Sequence, residues 1–375
     1  MIKSHKSHNK CDKIVNICYN TNVKELDFEQ YIREGEPDQK EKSIAWSIAT
    51  GLQQVDGLTP SPYLYSLAKR NIEGEISIKE VKQLIESYYE SRKNRTAEEE
   101  KEREADEVSS RITELVEEYS FSFNISQLLS IHERLFKGVL FRVKAGKFRS
   151  YNITKKEWAL DGDTVLYAPY ELIEETLRYD FDEERKFNYS KLSKEEIVDH
   201  ITQFVANIWQ VHPFGEGNTR TTAVFVIKYL RSLGFIVGNE PFKTNSWYFR
   251  NSLVRANYSN VKKGIYSNLD FLRRFFRNLL LGERNELKNR FTHIRYTEKI
   301  TEKSHKSHSK ITVNLTRVQQ NILEAIAEDN SISQTELAQK LSLARETINR
   351  NMKKLKDMGL IKRVGAKKNG HWDIE

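Results

Sequence analysis

The sequence is poor in the features that would place it in several common classes. Of 375 residues only two are cysteine, Cys11 and Cys18, with six residues between them. That is neither the C-x-x-C spacing of zinc and redox sites nor the density of a secreted disulfide scaffold, so a reducing, cytoplasmic setting is expected. No run of about 18 apolar residues occurs, so no membrane partner is expected, and Met1-Ile-Lys-Ser-His lacks the apolar stretch of a signal peptide. No G-x-x-x-x-G-K-[ST] loop is present, which excludes that mode of gripping phosphate. Nor is there a strong excess of one charge: 61 Lys and Arg against 53 Asp and Glu leave +8, a bias toward phosphate-bearing partners that identifies none.

What is present is enough apolar and aromatic residue to build cores: 38% of the chain is hydrophobic, with 18 Phe, 17 Tyr and 5 Trp. The length predicts two or three domains. Residues 1 to about 40 are polar and aperiodic. Their Ser4-His5-Lys6-Ser7-His8 recurs as Ser304-His305-Lys306-Ser307-His308, and both copies read as solvated linker with no metal assigned. Two apolar-periodic stretches follow between Ser43 and Tyr89, broken by Asp56-Gly57-Leu58-Thr59-Pro60, and then a charge-dense run from Ser91 to Glu107 that reads as an exposed helix or linker. Residues 110 to 290 show long amphipathic helical patterns, except that Asp161-Gly162 separates two short β-branched and aromatic segments between Tyr151 and Ala168, as in a hairpin.

The most informative string is His212-Pro213-Phe214-Gly215-Glu216-Gly217-Asn218-Thr219-Arg220. Upstream, Ser193 and Glu196 form a capping-box pattern, apolar residues recur at helical spacing, and Pro213 forces His212 out of the helix. Downstream, Thr219 to Leu233 is apolar almost all round and stops at Gly234, as a buried central helix does. The string is therefore a loop between two helices. Its glycines let backbone N–H groups converge, and the N-terminus of the following helix favours an anion. Asn218 and Arg220 add donors, Glu216 offers a hard oxygen for Mg²⁺, and His212 can take a proton from a hydroxyl.

The string resembles the H-P-F-x-[D/E]-G-N-x-R signature of the Fic family. Leu135-Phe136, Gly146-Lys147-Phe148-Arg149 and the hairpin after them are similar to the family's flap region, and Tyr248 to Tyr258 to its nucleotide-side helix. The resemblance spans about residues 110 to 290. It implies a mainly α fold, a Fic helical domain with a β-hairpin flap, and transfer of AMP from ATP to a protein hydroxyl with Mg²⁺. By resemblance, His212 is the general base and Glu216 the metal ligand. Gly215, Gly217, Asn218, Thr219, Arg220, Tyr248 and Asn251 face the nucleotide, Phe214 anchors the loop, and Gly146, Arg149, Tyr151 and Tyr167 belong to the flap that docks the target. Two departures stand out. Thr219 replaces the usual Gly, and Ala223 stands where a second Arg often meets the γ-phosphate, which points to a weaker grip on ATP. The helices before the domain resemble the family's antitoxin-like module. Asp56-Gly57 matches its inhibitory pair, with Leu52 in place of Ser or Thr.

After the second Ser-His-Lys-Ser-His, three helices and two strands around Gly365 to Gly370 read as a small winged helix-turn-helix. Residues 343 to 368 hold nine Lys or Arg against two acids, and Arg345, Thr347, Asn349, Arg350 and Lys353 are spaced to meet DNA. The expected boundaries are 1–40 for a flexible N-terminus, 41–108 for the helical module, 109–298 for the Fic domain, 299–312 for a linker and 313–375 for the winged helix. Two alternatives stay open: a degenerate Fic body using another nucleotide donor, and a nucleotide-sensing regulator or toxin–antitoxin component. The oligomeric state also stays open, a homodimer included.

Overall fold

The computed structural model describes residues 28–92, 94–141, 143–296, 317–341, 343–357, 360–364 and 371–374. Both Ser-His-Lys-Ser-His segments, the two cysteines and the wing tip at 365–370 lie outside them. The chain divides into two compact units, Met1–Tyr258 with Ser267–Tyr296, and Ser259–Tyr266 with Thr297–Glu375. Among the described residues the molecule is mainly helical, as the sequence implies.

The first unit begins with α1 (Phe28–Glu34), α2 (Pro37–Gly51), a 3-10 turn (Leu52–Asp56), α3 (Pro62–Ile72) and α4 (Ile78–Glu90). Part of the segment expected to be flexible is thus helical, because Phe28 is buried in one apolar cluster with Trp46, Leu64 and Ile85. Ser61 caps α3, which has Pro62 in its first turn, and Ser77 with Glu80 forms a capping box on α4. Trp46 donates its indole N–H to Asn71 at 3.0 Å, so its polar edge is satisfied inside this core.

The charge-dense run is the start of α5 (Ala97–Glu117), a 21-residue helix opened by a Thr96–Glu99 capping box. It is only half exposed, because Ala105, Val108, Ile112 and Leu115 form a buried stripe at helical spacing. On that inner side the carboxylate of Asp106 accepts from the Ser61 N–H at 2.8 Å and from the Tyr89 hydroxyl at 2.7 Å, and burial pushes its pKa up to about 6.

The body then adds α6 (Ile125–Phe136), α7 (Ile173–Lys186), α8 (Lys194–Val211), α9 (Asn218–Ser232), α10 (Glu240–Ala256), α11 (Asp270–Leu281) and α12 (Asn289–Thr292). Helix α9 is buried from Asn218 through Leu230 and ends before Gly234 at φ +87°. Even Lys228 is buried there, donating to the carbonyls of Leu115 at 2.7 Å and Glu118 at 2.6 Å, the C-terminal end of α5. The N-terminal helices pack on this body. A Cβ on Gly51 would lie 2.5 Å from the Phe242 carbonyl, and Lys243 pairs with Glu29 at 2.9 Å.

The flap between Tyr151 and Ala168 makes the expected reversal at Asp161-Gly162 but no strand ladder. A 3-10 turn (Trp158–Leu160) interrupts one arm, and the Lys155 N–H goes to the Thr164 side chain at 3.2 Å rather than to a carbonyl. Two backbone bonds close its end, from the Glu157 N–H to the Asp163 carbonyl at 2.9 Å and from the Gly162 N–H to the Glu157 carbonyl at 3.0 Å.

In the second unit α13 (Arg317–Glu328), α14 (Gln334–Lys340) and α15 (Arg345–Asp357) precede an antiparallel pair, β1 (Ile361–Val364) and β2 (His371–Ile374), in register Ile361 to Ile374. Ile322, Ile326, Leu337, Ile348, Met352, Leu355 and Trp372 form its core. A Ser333–Glu336 capping box starts α14.

Candidate active site

The motif loop joins α8 to α9, and each of its residues has an identifiable mechanical reason to be there. His212 ends α8 in the left-handed region at φ 49°, which is uncommon for a residue with a side chain. The Arg149 guanidinium makes that turn possible. It donates to the carbonyls of His212 at 2.8 Å, Tyr151 at 2.7 Å and Ala168 at 2.5 Å, clamping both ends of the flap to the motif. Arg149 is 5% exposed, so it positions the flap from beneath.

Phe214 is buried and stacked on His132, ring centroids 3.7 Å apart and planes 8° from parallel. The Gly146 N–H donates to His132 Nδ1 at 2.9 Å, which leaves Nε2 to donate to the Glu216 carbonyl at 3.1 Å. Both ring nitrogens are thereby committed to the neutral form, and burial lowers the His132 pKa to about 4. Asn218 closes the loop on itself. Its Oδ1 accepts from the Phe214 N–H at 2.9 Å and its Nδ2 donates to the Phe214 carbonyl at 2.8 Å. Gly217 sits at φ 73°, where a Cβ would lie 2.4 Å from the Phe136 ring, and a Cβ on Gly215 would lie 2.6 Å from the Tyr151 hydroxyl. Thr219 turns its Oγ1 to accept from the Trp209 indole at 3.1 Å, so the residue in place of the usual Gly ties α9 to α8.

His212 itself is 2% exposed, with the Tyr167 ring centroid 4.2 Å away. Its Nδ1 lies 3.1 Å from the Trp209 carbonyl, which can only accept, so Nδ1 carries the proton and Nε2 keeps its lone pair. Burial first, then the positive charge of Lys155, hold its pKa well below the ordinary imidazole value. Nearby, Glu216 is exposed, with no hydrogen bond or ion pair on its carboxylate among the described residues.

Two arginines of the site, Arg220 and Arg250, are already matched by carboxylates. Arg220 is 2% exposed and meets Asp56 at 2.8 Å, Glu104 at 2.6 Å and the Gln53 side-chain oxygen at 3.1 Å, with its guanidinium 4.8 Å from the Phe136 ring centroid. Arg250, from α10, pairs with the other Asp56 oxygen at 3.2 Å and with both oxygens of Glu157 at 3.0 and 3.1 Å. Asp56 thus bridges two arginines, with Gly57 behind it at φ 69°. The structure brings Asp56 to Arg220, not to position 223, where Ala223 is buried. Tyr248 and Asn251 are fully buried on α10. Asn251 donates to Asn289 at 2.9 Å, and neither residue is hydrogen-bonded to the motif loop.

Sequence reading missed His132, Gln53, Glu104, Glu157, Arg250 and Lys155. His132 carries a readable signal, a histidine on the apolar face of α6 with Leu128, Ile131 and Leu135. The others come from separate segments and have no local pattern.

On the second unit, Arg345, Asn349, Arg350 and Lys353 are exposed on one face of α15 with Thr347 half-buried beside them, while Ile348, Met352 and Leu355 face the core. The Lys356 ammonium and the Arg363 guanidinium each lie 4.8 Å from the Trp372 ring centroid.

Residues 122–230 match the family model for the Fic/DOC family, and residues 315–362 match that for winged helix-turn-helix DNA-binding. The chain therefore carries a Fic/DOC domain followed by a winged helix-turn-helix domain. Among solved structures it is similar to the N-terminal FIC domain of Bep8, a VirB-translocated effector from Bartonella sp. 1-1C (20% identity, TM-score 0.39, covering 50% of this chain and 88% of that one). It is also similar to BepC with bound AMPPNP from Bartonella tribocorum (21%, 0.39, 49% and 87%) and to a Fic family protein from Desulfovibrio desulfuricans G20 (14%, 0.42, 97% and 93%). No curated protein matches the chain. No helix among the described residues is long and apolar enough to cross a membrane.

Proposed function

We propose that the chain is a Fic-type transferase that moves AMP from ATP to a Ser, Thr or Tyr hydroxyl of a protein, itself included. One observation carries this reading. A buried, neutral His212 keeps an Nε2 lone pair with no partner among the described residues, in the loop that leads into the N-terminus of α9. In the reaction the target oxygen attacks the α-phosphorus, the bond from that phosphorus to the oxygen bridging to the β-phosphate breaks, and pyrophosphate leaves. His212 Nε2 takes the hydroxyl proton. The backbone at Gly215, Gly217 and the first turn of α9 faces the phosphates. The flap lacks a ladder among the described residues, so main-chain groups of 153–156 other than the Lys155 N–H remain for an extended target segment.

Among the described residues no three His, Cys, Asp or Glu side chains cluster around a metal position. The unpartnered Glu216 carboxylate fits a Mg²⁺ held mainly by the nucleotide's own phosphates. Bound there, the ion would neutralise charge on the leaving pyrophosphate.

Asp56 favours a regulated resting state, because it occupies Arg220 and Arg250 together. The winged helix we infer to bind duplex DNA through the exposed face of α15, which recruits or autoregulates the enzyme. Intact-mass measurement after incubation with ATP and Mg²⁺ tests the central claim. The wild-type chain or a target should gain the mass of AMP. His212→Ala should lose labelling by about 10²- to 10⁴-fold, and Asp56→Ala should gain it by on the order of tenfold. Equal labelling by His212→Ala overturns the assignment.

A further inference from the structure

A triphosphate brings several negative charges into this pocket, and the structure limits which cation can meet them. Three positive side chains act on the His212 ring: Lys155, Arg250 and Arg149. Arg149 is bound to four backbone carbonyls, and Arg250 is held by Glu157 and Asp56. Arg220, the motif's own cation, is enclosed by Asp56, Glu104 and Gln53. Lys155 alone of these has an ammonium with no hydrogen bond or ion pair among the described residues; only its backbone N–H is engaged, with Thr164.

Its placement follows from the flap. Residues 152–157 form neither helix nor strand, and Glu157, two residues after Lys155, has extended backbone at φ −107° and ψ 129°. The Glu157 carboxylate is 2% exposed and fastened inward to Arg250 and to the hydroxyl of Tyr167, whose ring centroid is 4.2 Å from that of His212, so this arm of the flap, with half-buried Lys155 on it, packs against the motif loop. There its charge is felt by Asp56, Glu216 and Glu157. Burial lowers its pKa from the ordinary lysine value, against the pull of those acids. A half-buried, unpaired ammonium is a costly thing to keep, and a ligand anion would remove that cost.

We propose that Lys155 is the residue of this site that binds the terminal phosphates of the nucleotide, coming from the flap rather than from α9. It rests on the nucleotide reading above and adds to it a discriminating role: Lys155 makes the pocket prefer a nucleoside triphosphate over a monophosphate.

The test is calorimetric binding of ATP and of AMP, each with Mg²⁺, to the full chain and to Lys155→Ala, Lys155→Arg and Lys155→Met. Lys155→Ala should weaken ATP by on the order of tenfold while changing AMP less than about twofold. Lys155→Arg should restore most of the ATP affinity. Lys155→Met should melt no lower than wild type, which separates ligand binding from folding. Unchanged ATP affinity in Lys155→Ala, or equal losses for ATP and AMP, overturns the proposal. So does loss of target labelling with ATP binding intact, which would place Lys155 on the acceptor side. Absence of any ATP binding by both wild type and Asp56→Ala instead removes the nucleotide reading, and Lys155's role with it.

Discussion

In the first unit Arg149 and Arg220 are buried and fully engaged, whereas in the second Arg345, Arg350 and Lys353 stand exposed along one face of α15. The same side-chain type serves opposite physical ends. Around the motif loop each guanidinium is engaged, Arg220 by carboxylates and Arg149 by backbone carbonyls, so its charge is little changed by salt in solution. On α15 the charges are available to phosphate, and any binding they drive must release counterions and weaken as salt rises. Net charge alone, +8 over the whole chain, conceals this division.

The sharpest way to break the comparison is to force an unpaired charge into the first unit, and His132 offers it. Its pKa is near 4 when folded, against about 6.5 for a free histidine, chiefly because of burial. As pH falls below about 6.5 the unfolded chain takes up a proton that the native state refuses, so stability declines between pH 6.5 and 4 and then levels. A shift of this size corresponds to roughly 3 kcal/mol. His132→Gln keeps a side-chain amide able to hydrogen-bond but cannot gain the charge. Urea melts at pH 7 and 4.5 should therefore show a loss in wild type that exceeds the loss in His132→Gln by most of that amount. Parallel losses in the two proteins would mean that His132 is not the group excluding the proton.

The outward charges give the next effect in size. Arg350→Ala should weaken binding of a DNA duplex by about 1–3 kcal/mol if the side chain reads a base, and should lower the slope of log affinity against log salt by about 1 if it meets a phosphate. Arg220→Ala offers the contrast: the salt slope should not move, while the protein loses thermal stability. Filter binding from 50 to 200 mM salt distinguishes the two, and a salt-independent wild type would erase the proposed difference between the units.

How far each region could be read from sequence follows the same line. The motif loop was legible because its chemistry lies in one continuous string, bounded by helix signals at Ser193, Pro213 and Gly234. The C-terminal helices were legible because Ser333 and Glu336 mark a start and Ile348, Met352 and Leu355 keep helical spacing. The partners of Arg220 were not. Gln53 and Asp56 lie on a 3-10 turn and Glu104 inside a charged run, and only tertiary packing brings them within 3.1 Å. That run looked solvated because composition records charge and not the face it occupies. Glu104 and Asp106 flank Ala105, on the stripe continued by Val108 and Ile112. In the flap the turn at Asp161-Gly162 was readable, but no sequence signal showed that Thr164 would take the Lys155 N–H and interrupt the ladder.

The smallest effect divides the basic stretch of the second unit against itself. Lys356 and Arg363 contribute to its positive charge, yet each lies 4.8 Å from the face of Trp372, a core residue whose indole donates to the Ile332 carbonyl at 3.1 Å. They cover the end of the core, and such contacts are worth about 0.5–1 kcal/mol at exposed sites. Lys356→Ala should therefore lower stability by about that much, measured by denaturant titration, while leaving the salt slope of DNA binding as in wild type. Lys353→Ala, three residues earlier and facing outward, should do the reverse. If both substitutions changed only the salt slope, the ring contacts would be incidental and the stretch would act as one undivided phosphate-binding surface.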